Sequence, residues 1–167
     1  GVRRTHEILS ELVDLETTEI LSGTRAYGWE IPDEWTYREA YIEDSHGQRL
    51  FDADQNNLRL LNYSEPFSGT VSLSELKKHL FSLPELPDAI PYVTSYYARR
   101  WGFCVTDNEK NLLSENSYKV LIDTELNPGS MTMSQAILPG ETNKEILFST
   151  YTCHPSLANN ELSGPLV

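Results

Sequence analysis

The spacing of apolar and polar residues predicts one helix at the start of the chain and strands in the stretch that follows. Between residues 2 and 21, apolar side chains recur every three or four positions and polar side chains fill the other face, which is the pattern of an amphipathic helix. Its apolar stripe consists of Ile8, Leu9, Leu12, Val13 and Leu15. Residues 26–54 and 57–64 instead combine β-branched and aromatic residues with turn residues, and we predict strands there.

A second helix is predicted around a capping motif in the middle of the chain. Ser72 and Glu75 have the spacing of a capping box, in which each side chain accepts a hydrogen bond from a backbone amide at the helix start. A short helix is therefore predicted within residues 70–83. Three prolines follow within residues 83–91, and they exclude a regular helix from that connection.

The C-terminal third is predicted to contain further strands and a loop that carries a histidine. Residues 117–123 and 130–137 are separated by an Asn-Pro-Gly turn and are expected to form a hairpin. The apolar run at residues 146–151 is short and rich in β-formers, so we predict a buried strand. It leads into His154 and a loop of small polar residues. The end of a buried strand is where open α/β sheets place their chemistry.

The composition is that of an acidic globular protein. Hydrophobic residues make up 39% of the chain and charged residues 23%, and no apolar run approaches the roughly 20 residues that a membrane span requires. The formal net charge of −12 argues against a nucleic-acid partner, because phosphate binding depends on clustered lysine and arginine. Cys104 and Cys153 are too few for a disulfide framework, and we expect buried free thiols in a cytoplasmic protein.

Residues 92–104 form the most aromatic segment of the sequence and contain adjacent arginines. Packing in the core and rim of a small β module is the simpler interpretation of these rings. The alternative is a surface on which a sugar or a base stacks. An arginine beside an aromatic shelf can also hold a carboxylate. The candidate substrate-binding residues are Tyr96, Arg99 and Trp101.

The histidine loop resembles the first half of the metal-binding pattern of two-zinc aminopeptidases. In that family a strand ends in a histidine ligand, and an A-x-D-N-x-S-G segment that follows supplies a bridging aspartate. The residues that match or replace this segment are Ala158, Asn160, Glu161, Ser163 and Gly164. A neutral imidazole is a good zinc ligand, although a lone histidine in a loop is more often a structural residue.

A longer resemblance covers most of the chain. The strings at residues 90–97, 101–104 and 153–159 are similar to an aminopeptidase-like group of bacterial proteins that often occur with polysaccharide-biosynthesis proteins. The resemblance implies an α/β fold (α+β in this fragment), with a partial zinc-aminopeptidase-like sheet and an inserted small β-rich domain. The implied division is a first part of the catalytic core at 1–64, an inserted module at 65–129, and core strands with the first metal loop at 130–167.

The resemblance implies that the chain is the N-terminal portion of a zinc-dependent aminopeptidase-like hydrolase that acts on a small peptide or another amide-containing substrate. His154 would be a zinc ligand, and Asn160 occupies the position of the bridging carboxylate. An amide is a weaker, neutral ligand than a carboxylate. Ser156 stands where the family usually has an aspartate that orients the histidine ring. The family's remaining metal ligands come after the position that Val167 occupies in its pattern. The chain by itself is therefore expected to be inactive and to bind zinc weakly or not at all.

The alternative function is a non-catalytic module that binds a glycan or a peptide and carries a degenerate metal site. In that case the aromatic segment would provide the binding surface. A homo-oligomer is also expected, because an open sheet edge favours pairing with a second copy.

Overall fold

The computed structural model describes residues 1–152 and shows a mixed α/β structure with many strands and few, short helices. The predicted fold class is confirmed. Two compact units are present: a terminal unit, made of residues 1–34 and those from 127 onward, and a central unit of residues 35–126. No helix in the described part is both long and apolar enough to cross a membrane. The cytoplasmic location stays a prediction.

The described helices are α1 (Val2–Leu9), α2 (Leu73–Leu76) and α3 (Asp107–Leu112). The described strands are β1 (Glu16–Leu21), β2 (Arg25–Ala26), β3 (Trp29–Glu30), β4 (Glu34–Glu43), β5 (Arg49–Leu50), β6 (Phe67–Ser72), β7 (Leu80–Phe81), β8 (Phe103–Cys104), β9 (Ser117–Asn127) and β10 (Ser130–Gln135).

The terminal unit is organised by the antiparallel pair of β1 and β10, in which Glu16 lies opposite Gln135. Helix α1 is tied to this unit through Arg3, whose guanidinium binds the carboxylates of Glu19 and Glu34. The predicted helix is wrong beyond residue 9. Residues 16–21 form β1 because they include β-branched side chains, which favour strands, and because β10 satisfies their backbone hydrogen bonds.

The central unit is built on a four-stranded sheet with the order β5–β4–β9–β6. Along β9, Tyr118, Val120 and Ile122 are buried while the residues between them are more exposed, as expected for a strand with one face on a core. Leu76 of α2 and Phe103 of β8 join the same core. Full burial of such an apolar side chain is worth about 1.5–3 kcal/mol, so this cluster supplies a large share of the unit's stability.

Several local predictions are confirmed. The Ser72 side chain accepts a hydrogen bond from the Glu75 amide at the start of α2, and no helix or strand forms over residues 83–91. Cys104 is a buried free thiol, and burial raises its pKa to about 11. Cys153 lies outside the described residues.

The predicted strands at residues 117–123 and 130–137 are confirmed as β9 and β10, but their predicted pairing and a third predicted strand are wrong. The expected hairpin of residues 117–123 and 130–137 does not form, because β9 pairs with β4 and β6 whereas β10 pairs with β1. The turn between β9 and β10 favours this pairing, because the backbone of Gly129 is hydrogen-bonded to Ser22, which directly follows β1. Residues 57–64 do not form a strand either. They begin with a 3-10 turn over Asn57–Arg59, which is capped by the side chain of Asn56.

The predicted buried strand at residues 146–151 is also wrong for the chain as it stands. These residues are irregular, and Phe148 is 91% exposed. A buried strand needs hydrogen-bonding neighbours, and none of the described strands pairs with this run.

The sheet of the central unit takes strands from both sides of residue 64. The predicted domain division at residues 64 and 129 concerns the intact protein and stays a prediction.

Candidate functional site

The predicted metal ligands, His154 and Asn160, lie outside the described residues, and their roles stay predictions. Within residues 1–152, no group of three or more histidine, cysteine, aspartate or glutamate side chains is placed so that it could hold a metal ion. The predicted substrate-binding residues do lie in the described part. All of them belong to the central unit.

Trp101 packs against other rings of the central unit. The centroid of its indole lies 4.1 Å from that of Phe67, with an interplanar angle of 15°, and 3.6 Å from that of His79, with an angle of 8°. Nδ1 of His79 also lies 3.0 Å from the carbonyl oxygen of Trp101. These contacts occupy ring surface of Trp101 within the unit, and they fit a structural role.

Tyr96 belongs to a different group of side chains, the aromatic row, which consists of Tyr37, Trp35, Tyr63, Tyr96 and Tyr97. Neighbouring ring centroids along the row are separated in turn by 6.0, 5.8, 5.0 and 4.6 Å. These separations are those of favourable aromatic pairs. The row is partly buried at Trp35 and ends at Tyr97, which is 92% exposed. It therefore runs from the edge of the core to solvent.

Hydrogen bonds from the buried residue Ser95 hold together the two loops that carry Tyr63 and Tyr96. The hydroxyl of Ser95 donates to the carbonyl oxygen of Tyr63 at 2.6 Å, and the Ser95 amide donates to the carbonyl oxygen of Asn62 at 2.8 Å. Ser95 is buried, where a satisfied hydrogen bond is costly to break. The rings are thus presented by a fixed backbone.

The backbone of Tyr63 is in the left-handed region, with φ of +62°. A bulky side chain is rare there and carries a conformational cost. Support comes from the next residue, Ser64, whose carbonyl oxygen accepts hydrogen bonds from Nε1 of Trp35 and from the Thr124 hydroxyl. Glycine or asparagine would adopt this backbone more easily. Only a large ring, however, can bridge Trp35 and Tyr96.

Arg99 lies beside the same two loops. Its guanidinium forms a 3.0 Å ion pair with the exposed carboxylate of Glu65, and the amide of Glu65 donates to the carbonyl oxygen of Arg100. Tyr96 and Arg99 are thus carried by one loop that is joined to the loop of Tyr63 and Glu65, whereas Trp101 belongs to a separate stack.

At the other end of the row, Tyr37 has a raised pKa. Burial is the main cause, and the nearby charges of Asp54 and Asp52 add to it. Both effects disfavour a phenolate. The Tyr37 hydroxyl therefore stays protonated well above neutral pH.

The row also contains three residues that are not among the predicted site residues: Trp35, Tyr37 and Tyr63. Trp35 and Tyr37 are two positions apart on β4, so their side chains share a face of the strand. The alternation of side chains along a strand therefore predicts that these two rings lie close together. The contact of Tyr63 with Tyr96 joins distant parts of the chain and left no local pattern.

Comparison with known proteins gives one match by sequence and one match by structure. A protein of Clostridium acetobutylicum named "Putative polysaccharide biosynthesis protein with aminopeptidase-like domain" is 43% identical over 164 residues, which are 98% of this chain and 38% of that protein. A crystal structure from the same organism, described as a "putative peptidase", has a TM-score of 0.94 at 43% identity and covers 98% of this chain and 39% of that one. The chain thus spans about two fifths of the length of these relatives. The predicted resemblance of this chain to aminopeptidase-like proteins of bacteria is confirmed.

A family match concerns the middle of the chain. Residues 34–125 match the family described as "Domain of unknown function (DUF2172)". The matched range is more than half of the 167 residues and nearly coincides with the central unit. The chain therefore belongs to the DUF2172 family.

Proposed function

We propose that this chain forms the N-terminal portion of a zinc-dependent aminopeptidase-like hydrolase. The observation that carries the proposal is the 43% identity, over 98% of the chain, to a Clostridium acetobutylicum protein with an aminopeptidase-like domain. The peptidase-like crystal structure with a TM-score of 0.94 supports the same class.

The chain's own donors account for part of a zinc site. His154 offers an imidazole, which suits zinc, and Asn160 offers a neutral amide oxygen. A catalytic zinc usually has three protein ligands and an open position for water. These two donors do not reach that number, so we propose that further ligands come from the remainder of a longer protein. Zinc, when bound, would activate water for attack on an amide carbonyl.

The exposed apolar run at residues 146–151 supports a role for additional chain. Ile146, Leu147 and Phe148 are each more than four-fifths exposed, although their sequence favours a buried strand. We propose that this run becomes a core strand of the hydrolase when neighbouring strands are present. The strand would then hold His154 at its end.

The substrate class follows from the proposed chemistry and the names of the relatives. Aminopeptidase-like chemistry acts on an amide, so a small peptide is the first candidate. The name of the Clostridium acetobutylicum relative also mentions polysaccharide biosynthesis. An amide borne by a saccharide is therefore the second candidate.

The test uses the full-length protein and measures both bound zinc and hydrolysis. Amino-acyl p-nitroanilides, short peptides and N-acylated saccharides are the substrates. We expect zinc-dependent hydrolysis of at least one of them, and a loss of at least about a hundredfold in His154→Ala, since removing a ligand disrupts the metal site. His46→Ala is the matched control, because His46 is exposed in a turn of the central unit.

Two results would contradict the proposal. One is a full-length protein that binds no zinc and hydrolyses none of these amides. The other is a His154→Ala variant with undiminished zinc-dependent activity. We expect the 167-residue chain alone to show no hydrolysis. The predicted homo-oligomer stays a prediction, which sedimentation of the full-length protein would test.

A further inference from the structure

We propose that the aromatic row of the central unit is a binding surface for an uncharged carbohydrate. The inference is independent of the proposed hydrolase, because every ring of the row lies within residues 35–126. It rests on the exposure of the row, on the backbone that supports it and on its electrostatic surroundings.

The exposed end of the row provides the first argument. Tyr97 is 92% exposed, yet its ring meets Tyr96 edge to face at 4.6 Å with an interplanar angle of 77°. A single exposed tyrosine needs no explanation. Tyr97, however, continues a line of rings that begins at the core, and its exposed ring surface is available to a flat, weakly polar partner.

The strained backbone at Tyr63 provides the second argument. Its φ of +62° costs free energy, as do the positive φ angles of Tyr27 and Phe51. The buried hydroxyl of Ser95 fixes this conformation through the Tyr63 carbonyl oxygen. The ring of Tyr63 contacts the rings of both Trp35 and Tyr96. It packs between these two rings, which preorganises the surface.

The surrounding polar groups indicate the ligand class. A pyranose presents a face of C–H groups that stacks on an aromatic ring, and its hydroxyls then need hydrogen-bonding partners at the edge. The tyrosine hydroxyls and the exposed ion pair of Glu65 and Arg99 on the adjoining loops supply them. The net charge of −12 disfavours a polyanion. A neutral oligosaccharide fits these properties best.

A proline-rich peptide is the competing occupant, since such peptides dock between aromatic side chains. A proline placed between two rings would need them about 7 Å or more apart, because each carbon contact takes about 3.5 Å. The row's centroid separations are 4.6 to 6.0 Å. The rings therefore close on one another and leave no such slot.

The experiment titrates the 167-residue chain with maltohexaose, cellohexaose and chitohexaose and follows binding by calorimetry and amide chemical shifts. Polygalacturonate and a decaproline peptide are the comparison probes. We expect at least one neutral oligosaccharide to bind. Tyr97→Ala should weaken that binding about 2- to 12-fold, the equivalent of one aromatic contact, and Tyr97→Phe should largely restore it. Tyr27→Ala is the matched control, because Tyr27 is an exposed tyrosine of the terminal unit.

The proposal is overturned if no neutral oligosaccharide binds, or if Tyr97→Ala binds as well as the unmodified chain. Binding of decaproline that depends on Tyr97, without saccharide binding, assigns the row to a peptide and also overturns it. This proposal and the hydrolase proposal can fail separately. His154→Ala tests only the hydrolase and is expected to leave saccharide binding unchanged, whereas Tyr97→Ala tests only the aromatic row.

Discussion

The ion pair of Arg59 and Glu109 in the central unit predicts a measurable dependence of stability on pH. The guanidinium donates two hydrogen bonds, of 2.6 and 2.7 Å, to the Glu109 carboxylate. The same carboxylate accepts hydrogen bonds from the amide and hydroxyl of Thr106, which caps helix α3. Chiefly because of Arg59, the pKa of Glu109 falls from its ordinary value of 4.5 to about 2.

The magnitude follows from this shift and from the exposure of the pair. One pKa unit corresponds to about 1.4 kcal/mol, so the whole shift would correspond to about 3.4 kcal/mol. The side chains of Arg59 and Glu109 are 17% and 34% exposed, and solvent screening reduces the contribution of a pair that is partly in water. We therefore expect the ion pair to contribute about 1.5 kcal/mol to the free energy of unfolding, which is a little under half of the value for the whole shift. Because folding lowers the pKa, this stability is present above pH 4.5 and is lost as the pH falls towards 2.

The assay is urea unfolding of the unmodified chain and of Glu109→Gln between pH 7 and pH 3. Glutamine can still accept the Thr106 amide hydrogen bond, so the substitution removes mainly the charge. We expect Glu109→Gln to be about 1.5 kcal/mol less stable at pH 7, and this difference to fall below half by pH 3. Glu85→Gln is the control, because Glu85 is exposed in the proline-rich connection.

A Glu109→Gln chain as stable as the unmodified chain at pH 7 would refute the reasoning. A deficit that stays constant from pH 7 to pH 3 would refute it too, since the loss would then come from packing rather than from charge. A double-mutant cycle with Arg59→Met measures the coupling directly.

Three further predictions concern the central unit. Gly102→Ala should lower stability by about 1–3 kcal/mol in thermal unfolding, because its new methyl group would overlap with the backbone carbonyl oxygen of His79; an unchanged melting temperature would contradict this. Cys104 should resist iodoacetamide at pH 8 until urea unfolds the chain, because its thiol is buried with a pKa of about 11; mass spectrometry distinguishes it from Cys153, and rapid labelling of Cys104 in the native chain would contradict this. Ser95→Ala should cost about 1–3 kcal/mol in urea unfolding, since it removes the hydroxyl of a buried residue that donates to the carbonyl oxygen of Tyr63; a neutral effect would contradict this.

The parts of the fold that were predictable from sequence depend on local interactions. The start of α2 follows from Ser72 and Glu75, which are three residues apart and interact within one turn. The absence of regular structure over residues 83–91 follows from proline geometry. The wrong prediction of a helix over residues 16–21 has a non-local cause. Their apolar spacing fits a helix, and the choice of strand is made by β10, more than a hundred residues later.

The candidate site was predictable only in part for the same reason. Tyr96 stood out because it lies among other aromatic residues, and so did Trp101. Their separation into two clusters depends on Tyr63 for the first and on Phe67 for the second. Both partners are more than thirty residues away in sequence. Local aromatic density therefore identified the segment but not the surface.

The position of the family match separates the two proposed functions. Residues 34–125 match the DUF2172 family, and nearly the same residues form a compact unit with its own sheet and core. The aromatic row lies wholly inside that unit, whereas the proposed zinc ligand His154 follows an exposed apolar run of the terminal unit. A unit with its own core can keep its surface whether or not the catalytic part is complete. Carbohydrate binding should therefore survive in the 167-residue chain, while hydrolysis should require the longer protein.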